Sequence, residues 1–206
     1  MQTQIKTAIL SLLISLLSFK AHSQDDFYTS KPTPPEEDPM TCPKTFLGVS
    51  TGINNNPGLL GFNLEVGVAK KISLGGGAGL SVWGYKGYLE GKYYFHDCYK
   101  GGAIGLALTR NTGIPEIQFE DETDAGVKQN VNMQLFPQTN FAIQGYHYFK
   151  MGKRHRFYLN YGYSFEITTK KYSVIGPNLP SKTLISVVDL MAPSGIIFGL
   201  GFSFGL

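Results

Sequence analysis

The chain has 206 residues, with 18 Lys and Arg against 15 Asp and Glu, only two cysteines, 25 glycines and 13% aromatic residues. A net charge of +3 gives no electrostatic case for nucleic acid, and the length fits one domain more readily than two. No segment reaches the ~20 apolar residues that a membrane-spanning helix needs, which argues against a helical membrane protein.

The N-terminus has the order of a secretory signal. Lys6 lies in a polar start, an apolar run covers residues 8–19, and the small residues Ala21 and Ser23 fit cleavage after Ser23. Loss of residues 1–23 removes Lys6 and Lys20 and so lowers the net charge by two, to +1. The residue directly after the cleavage point is Gln24 rather than a cysteine, so no lipoprotein anchor is expected there. Residues 24–45 include DDFYTSKPTPPEEDPMTCPK, dense in proline and acid with little to bury, and are predicted to be an extended tether.

Residues 46–206 form the remaining domain, in which alternating segments recur between turn signals. Leu47, Val49, Thr51 and Ile53 oppose Gly48, Ser50 and Gly52. After NNNPG, the run Leu60, Phe62, Leu64, Val66, Val68 opposes Gly61, Asn63, Glu65, Gly67, Ala69. Past Lys70 and Lys71, Ile72, Leu74, Ala78, Leu80 and Val82 oppose Ser73, Gly75, Gly77, Gly79 and Ser81. A rougher segment sets Leu89, Tyr93 and Phe95 against Tyr88, Glu90, Lys92 and Tyr94. Ile104, Leu106 and Leu108 then oppose Ala103, Gly105 and Ala107. Beyond a long polar stretch, Phe141, Ile143 and Phe149 oppose Ala142, Gln144, Tyr146 and Tyr148, and after MGKRHR the rings of Phe157, Tyr161, Tyr163 and Phe165 oppose Tyr158, Asn160, Gly162 and Ser164. The terminal SGIIFGLGFSFGL sets Ile196, Phe198, Leu200, Phe202, Phe204 and Leu206 against glycine and serine.

These eight segments approach the ~9–11 residues that a tilted strand needs to cross a bilayer. Their apolar faces oppose small residues, and almost no charge lies on the apolar side. A soluble eight-stranded barrel would carry charge on its outer surface, so lipid is the solvent that fits. Strands in hydrocarbon must close on themselves, because an open edge leaves backbone groups unpaired. With the N-terminus in the periplasm, the inner turns are short: Lys70-Lys71, residues 96–101 and residues 150–155. The outer connections include two long segments, residues 111–138 and 169–193, both expected as loops. Aromatics gather at the inferred periplasmic ends (Tyr93, Tyr94, Phe95, Tyr146, Tyr148, Phe149, Phe157, Tyr158, Phe202, Phe204), and Trp83 and Tyr85 are expected at the opposite rim, as two interfacial belts. The predicted fold is all-β: an eight-stranded antiparallel transmembrane β-barrel with short periplasmic turns and two long extracellular loops.

The signal, the eight alternating strands, the short turns and the terminal GLGFSFGL resemble the small Gram-negative outer-membrane β-barrel domain family, with OmpX and the transmembrane domain of OmpA as the nearest shapes. The resemblance covers residues 46–206 as a pattern. It implies residence in the outer membrane, with outer-membrane lipids and the barrel-assembly machinery as partners. The chain departs from the family's usual aromatic ending, since Phe204 is followed by Gly205 and Leu206.

Four lumen residues stand out: Glu65, Glu90 and Lys92 near mid-strand, and Glu166 nearer the outer end. Gly77 and Gly79 on the intervening strand are expected to leave Lys92 room to reach Glu65. A buried ion network filling a narrow barrel is the leading reading, because buried charges persist mainly by pairing. A gate, or a carboxylate pair in acid–base work, is the alternative. The glycine-rich lumen face similarly reads as curvature and close packing against inward tyrosines, with a small-solute cavity as the alternative. GGGAG at residues 75–79 lacks the helix and Lys-Ser/Thr pair of a phosphate loop. His22 leaves with the signal, and His96, His147 and His155 lack both metal-site spacing and a Ser or Asp partner at outer-leaflet depth.

Cys42 and Cys98 fall on the same side of the membrane in an oxidising compartment, which favours a disulfide over two free thiols. Closing that loop is worth about 4 kcal/mol in the chain-entropy model. Glu116, Glu120, Asp121, Glu122 and Asp124 make the third outer connection acidic, either a solvated loop or a divalent-cation site. Lys150, Lys153, Arg154 and Arg156 make the last inner turn basic and suit phospholipid headgroups. No catalytic residue, cofactor or metal is predicted. The expected role is non-enzymatic, in envelope structure or surface interaction through the outer loops. A narrow pore for small polar solutes and a lipid-modifying enzyme are the alternatives.

Overall fold

The structure is a computed structural model and describes residues 42–122, 126–152 and 154–206. The signal (1–23) and nearly all of the tether fall outside the described residues. Strand β1 (Thr45–Ile53) opens the domain and is followed by β2 (Leu60–Ala69), β3 (Ile72–Ser81), β4 (Gly84–Tyr94) and β5 (Gly101–Asn111). After an inserted hairpin come β8 (Gln138–Met151) and β9 (His155–Glu166), and β11 (Gly195–Gly205) ends the chain. These eight strands form a closed antiparallel barrel in the order β1-β11-β9-β8-β5-β4-β3-β2. Closure comes from β11 pairing with β1, with Val49 opposite Phe202 and Gly52 opposite Gly199.

The burial alternates as the sequence does, but inverted relative to a soluble core. In β1, Leu47, Val49 and Ile53 are exposed while Phe46, Gly48 and Ser50 are buried. In β4, Leu89 is 71% exposed and its neighbour Glu90 is 5% exposed. The period-2 pattern of strands thus turns apolar residues outward all round the barrel and leaves glycine, tyrosine, amides and charges to fill the centre. Where strands must approach closely, only glycine fits. A Cβ on Gly52 would collide with the Phe198 carbonyl across the closing seam.

One end of the barrel carries the short turns, at residues 70–71 and 95–100 and between the end of β8 at Met151 and the start of β9 at His155. The middle turn contains a 3-10 turn, Asp97–Tyr99, in which Cys98 and Tyr99 both adopt positive φ. Cys98 is joined to Cys42 by a disulfide with a Cα–Cα distance of 5.1 Å, fastening the chain before β1 to this end.

The opposite end differs from expectation. The two long segments fold together rather than remaining loops. The first supplies the hairpin β6 (Ile114–Glu122) and β7 (Lys128–Leu135), and the second supplies β10 (Tyr172–Ile175) and helix α1 (Lys182–Met191). β10, β7 and β6 make a three-stranded sheet. The reason lies in Val131, Met133 and Leu135, which alternate with polar residues and pack against Leu184 and Val188, four apart on α1. The side-chain hydroxyl of Ser181 caps α1 by accepting from the Leu184 amide at 3.1 Å.

Two aromatic expectations are corrected. Trp83, expected as an interfacial ring beside Tyr85, is fully buried beneath this cap and donates from Nε1 to the Phe136 carbonyl at 2.8 Å. Tyr85 is exposed. At the other end, strand alternation splits the expected belt: Tyr93, Phe95, Phe149 and Phe204 face outward, while Tyr94, Tyr146, Tyr148 and Tyr158 are buried inside.

Candidate functional site

The lumen concentrates the chain's buried charge. In the sheet register Glu65 lies opposite Gly75, which lies opposite Glu90, so both carboxylates sit at one level with a bare glycine between them. Gly75 therefore provides the gap expected of Gly77 and Gly79, which align instead with Asn63 and Gly61 on β2 and with Tyr88 and Lys86 on β4. Lys92 reaches across to Glu65 Oε2 at 2.9 Å and to Glu90 Oε2 at 3.4 Å. Its ammonium also lies over the Tyr146 ring, 4.4 Å from the centroid.

A second cation completes the cluster. Arg156 is assigned by its sequence neighbourhood to a basic turn, but it lies in β9 and faces inward, 5% exposed. Its Nη2 is 2.9 Å from Glu65 Oε2, and its Nη1 donates to the Tyr99 carbonyl at 2.9 Å and to the Tyr94 hydroxyl at 3.1 Å. The guanidinium sits 3.6 Å from the Phe46 centroid and 4.3 Å from that of Tyr148. Tyr94 donates to the other Glu65 oxygen, and Tyr146 donates to Glu90. Two carboxylates thus meet two cations. Such a cluster is tolerable away from water because every charge has an opposite partner and hydrogen bonds besides.

Toward the capped end an amide layer replaces the charges. The NNNPG connection between β1 and β2 folds inward, leaving Asn55 and Asn56 each 2% exposed. Asn160 donates to Asn55 Oδ1 at 2.9 Å and to Gln144 Oε1 at 2.7 Å, and Gln144 donates to Asn56. Lys86, also buried, holds this connection in place through the carbonyls of Asn54 at 3.2 Å and Asn55 at 2.8 Å. The charged layer and the amide layer stack across the same lumen.

Glu166 does not join the network. It lies at the capped end, opposite Asn140, and pairs with Lys171 at 3.5 Å. Lys171 also reaches Asp189 of α1 at 3.7 Å, so this carboxylate ties the barrel wall to the second long segment. Arg156 was the member that sequence reasoning missed. The available signal was its parity, since Arg156, Tyr158 and Asn160 alternate on one face of β9.

Cys42 and Cys98 are bonded, as described above. His96, His147 and His155 are exposed, and no group of three or more potential metal ligands comes together among the described residues. Of the acidic segment, Asp124 lies outside the described residues. Asp121 accepts from the Ser181 amide at 2.7 Å and its hydroxyl at 2.6 Å, which holds its carboxyl below the ordinary aspartate range.

No family model and no curated protein matches the chain. Among solved structures, the N-terminal β-barrel domain of Pseudomonas aeruginosa OprF is similar, with a TM-score of 0.43 and 13% sequence identity over 78% of this chain and 95% of that one.

Proposed function

We propose that the protein is a non-conducting outer-membrane barrel, exported by its residues 1–23, which serves the cell envelope structurally and presents the β6–β7–β10–α1 cap for surface interaction. The observation that carries this reading is the inverted surface. Residues such as Phe62, Leu89, Leu106, Tyr161 and Phe198 are all between 51% and 71% exposed on the outside of a closed barrel, a surface that water disfavours and a bilayer suits. Outer-membrane lipids then contact these faces, and the barrel-assembly machinery inserts them. The cap end faces outward and the disulfide end faces the periplasm, where oxidising conditions maintain the bond.

The filled lumen supports a structural role over a pore. Glu65, Glu90, Lys92 and Arg156 are each at most 8% exposed, and Asn55 and Asn56 lie over them. Reconstitution into planar bilayers tests the reading. The expected result is insertion, seen as a heat-modified gel shift, without discrete conductance steps. Steady single-channel currents from wild-type protein would replace it with the pore reading.

A further inference from the structure

The disulfide end of the barrel contains a small cationic pocket that the structural role does not use. It has a volume of about 70 Å³ and is lined by Lys100, Lys150, Arg154 and Arg156 around the rings of Phe46 and Tyr148. His155, Tyr99, Pro43 and Cys98 complete the wall, to which no Asp or Glu among the described residues contributes. Lys150 lies opposite Arg156 in the β8–β9 register, which sets the two side chains on the same face of the sheet. Arg156 is committed to Glu65, whereas Lys100, Lys150 and Arg154 have no carboxylate partner among the described residues.

Two buried donors lie in the residues behind this wall. Tyr148 is 5% exposed, and its hydroxyl has no hydrogen-bond partner among the described residues. The Nε of Arg156, equally buried, also lacks one. Both atoms are closed to water behind the pocket wall, so the groups offered to a ligand are the three cations without a carboxylate partner, Lys100, Lys150 and Arg154. A water occupies roughly 10–15 Å³ on the same measure, so the pocket accommodates a group several times larger.

We propose that this pocket binds a phosphate group, either the headgroup of an anionic phospholipid or a free phosphate. A tetrahedral oxyanion offers several acceptors to the two lysine ammoniums and the Arg154 guanidinium. The rings of Phe46 and Tyr148 form an apolar floor that shields these contacts from water. A lipid source rests on the membrane placement proposed above, whereas the pocket itself does not.

The test uses the full chain refolded in detergent. Inorganic phosphate is titrated calorimetrically in phosphate-free buffer. In parallel, protein recovered from phosphatidylglycerol or phosphatidylcholine vesicles is weighed by native mass spectrometry for retained lipid. Saturable phosphate binding assigns a free phosphate, and selective retention of phosphatidylglycerol assigns a headgroup. In either arm the double substitution Lys150→Gln/Arg154→Gln, on exposed positions, should weaken binding by about tenfold or more. Lys70→Gln/Lys71→Gln removes the same charge from the β2–β3 turn at the same end and should change affinity by less than about twofold. Absence of saturable binding in both arms, or equal loss in the two double variants, overturns the proposal. Failure to insert into vesicles removes the membrane placement but leaves the phosphate titration to judge the pocket.

Discussion

Arg156 and Lys92 meet on one atom: each cation lies 2.9 Å from Oε2 of Glu65. Glu65 is therefore the hub of the lumen network, while Glu90 has only Lys92, at 3.4 Å. Removing one member of a buried ion pair costs about 3–5 kcal/mol, because the remaining charge stays desolvated without compensation. Glu65→Gln strands Arg156 and leaves Lys92 with Glu90 alone, and should lie at the upper end of that range. Glu90→Gln leaves Lys92 still paired with Glu65 and should cost clearly less. The temperature of the heat-modified gel shift measures both, and equal losses would contradict the hub assignment.

Gly77 on the lumen face and Gly87 on the outer face make opposite demands on a side chain. A Cβ on Gly77 would collide with the Phe62 carbonyl and come within 2.9 Å of the Tyr88 ring, whereas one on Gly87 meets nothing closer than 3.8 Å. Gly77→Ala should lower barrel stability by about 1–3 kcal/mol through overpacking. Gly87→Ala should be neutral or stabilise by up to ~1 kcal/mol, since alanine loses less backbone freedom on folding. Urea unfolding of the two variants in detergent decides between them.

All eight barrel strands were legible because each alternates strongly enough to be recognised without its neighbours. The even count and the short turns fixed closure before any contact was known. The cap was less legible. Val131, Met133 and Leu135 form only three apolar positions among polar ones, and their partners Leu184 and Val188 come from a segment about fifty residues later. Such a sheet is readable only once its partner is in place. Trp83 illustrates the same limit: a tryptophan next to a strand end reads as an interfacial ring until something covers it. In the lumen, parity assigned Glu65, Glu90 and Lys92 to the interior, but the glycine that lets them meet depends on inter-strand register, which composition does not encode. Arg156 was hidden by its position beside a cluster of exposed basic residues, and Glu166 by having a partner, Lys171, that belongs to a presumed loop.

Trp83 is the chain's single tryptophan and is shielded completely by the cap. It therefore reports on cap attachment independently of the barrel. Val188, 1% exposed, packs in the same cluster, so Val188→Asp buries an unpaired charge at the seam between α1 and β7. The expected outcome is a red-shifted, acrylamide-accessible Trp83 emission with the heat-modified gel shift preserved, since the eight-stranded closure does not involve α1. Loss of the gel shift together with the emission change would mean that cap and barrel fold as one cooperative unit.

Asp121 gives the cap a defined pH response. Its carboxylate accepts from both the amide and the hydroxyl of Ser181, and that same hydroxyl caps α1 through the Leu184 amide. These hydrogen bonds favour the ionised form and lower its pKa. A lowered folded-state pKa means that the contribution is fully present above the unfolded aspartate value, near pH ~4, and is lost as pH falls through the folded value. Glu120 and Glu122 flank it on β6 and Lys128 faces Glu122 across the hairpin, but none of these touches Ser181. Hydrogen exchange across residues 176–191 should therefore be slow from pH 7 down to about pH 4, after allowance for the intrinsic rate, and should accelerate below it. Asp121→Asn should show the faster exchange already at pH 7, with no further acceleration on acidification. An unchanged pH profile in that variant would assign the acid response to another carboxylate, with Asp189 and its Lys171 contact the next to substitute.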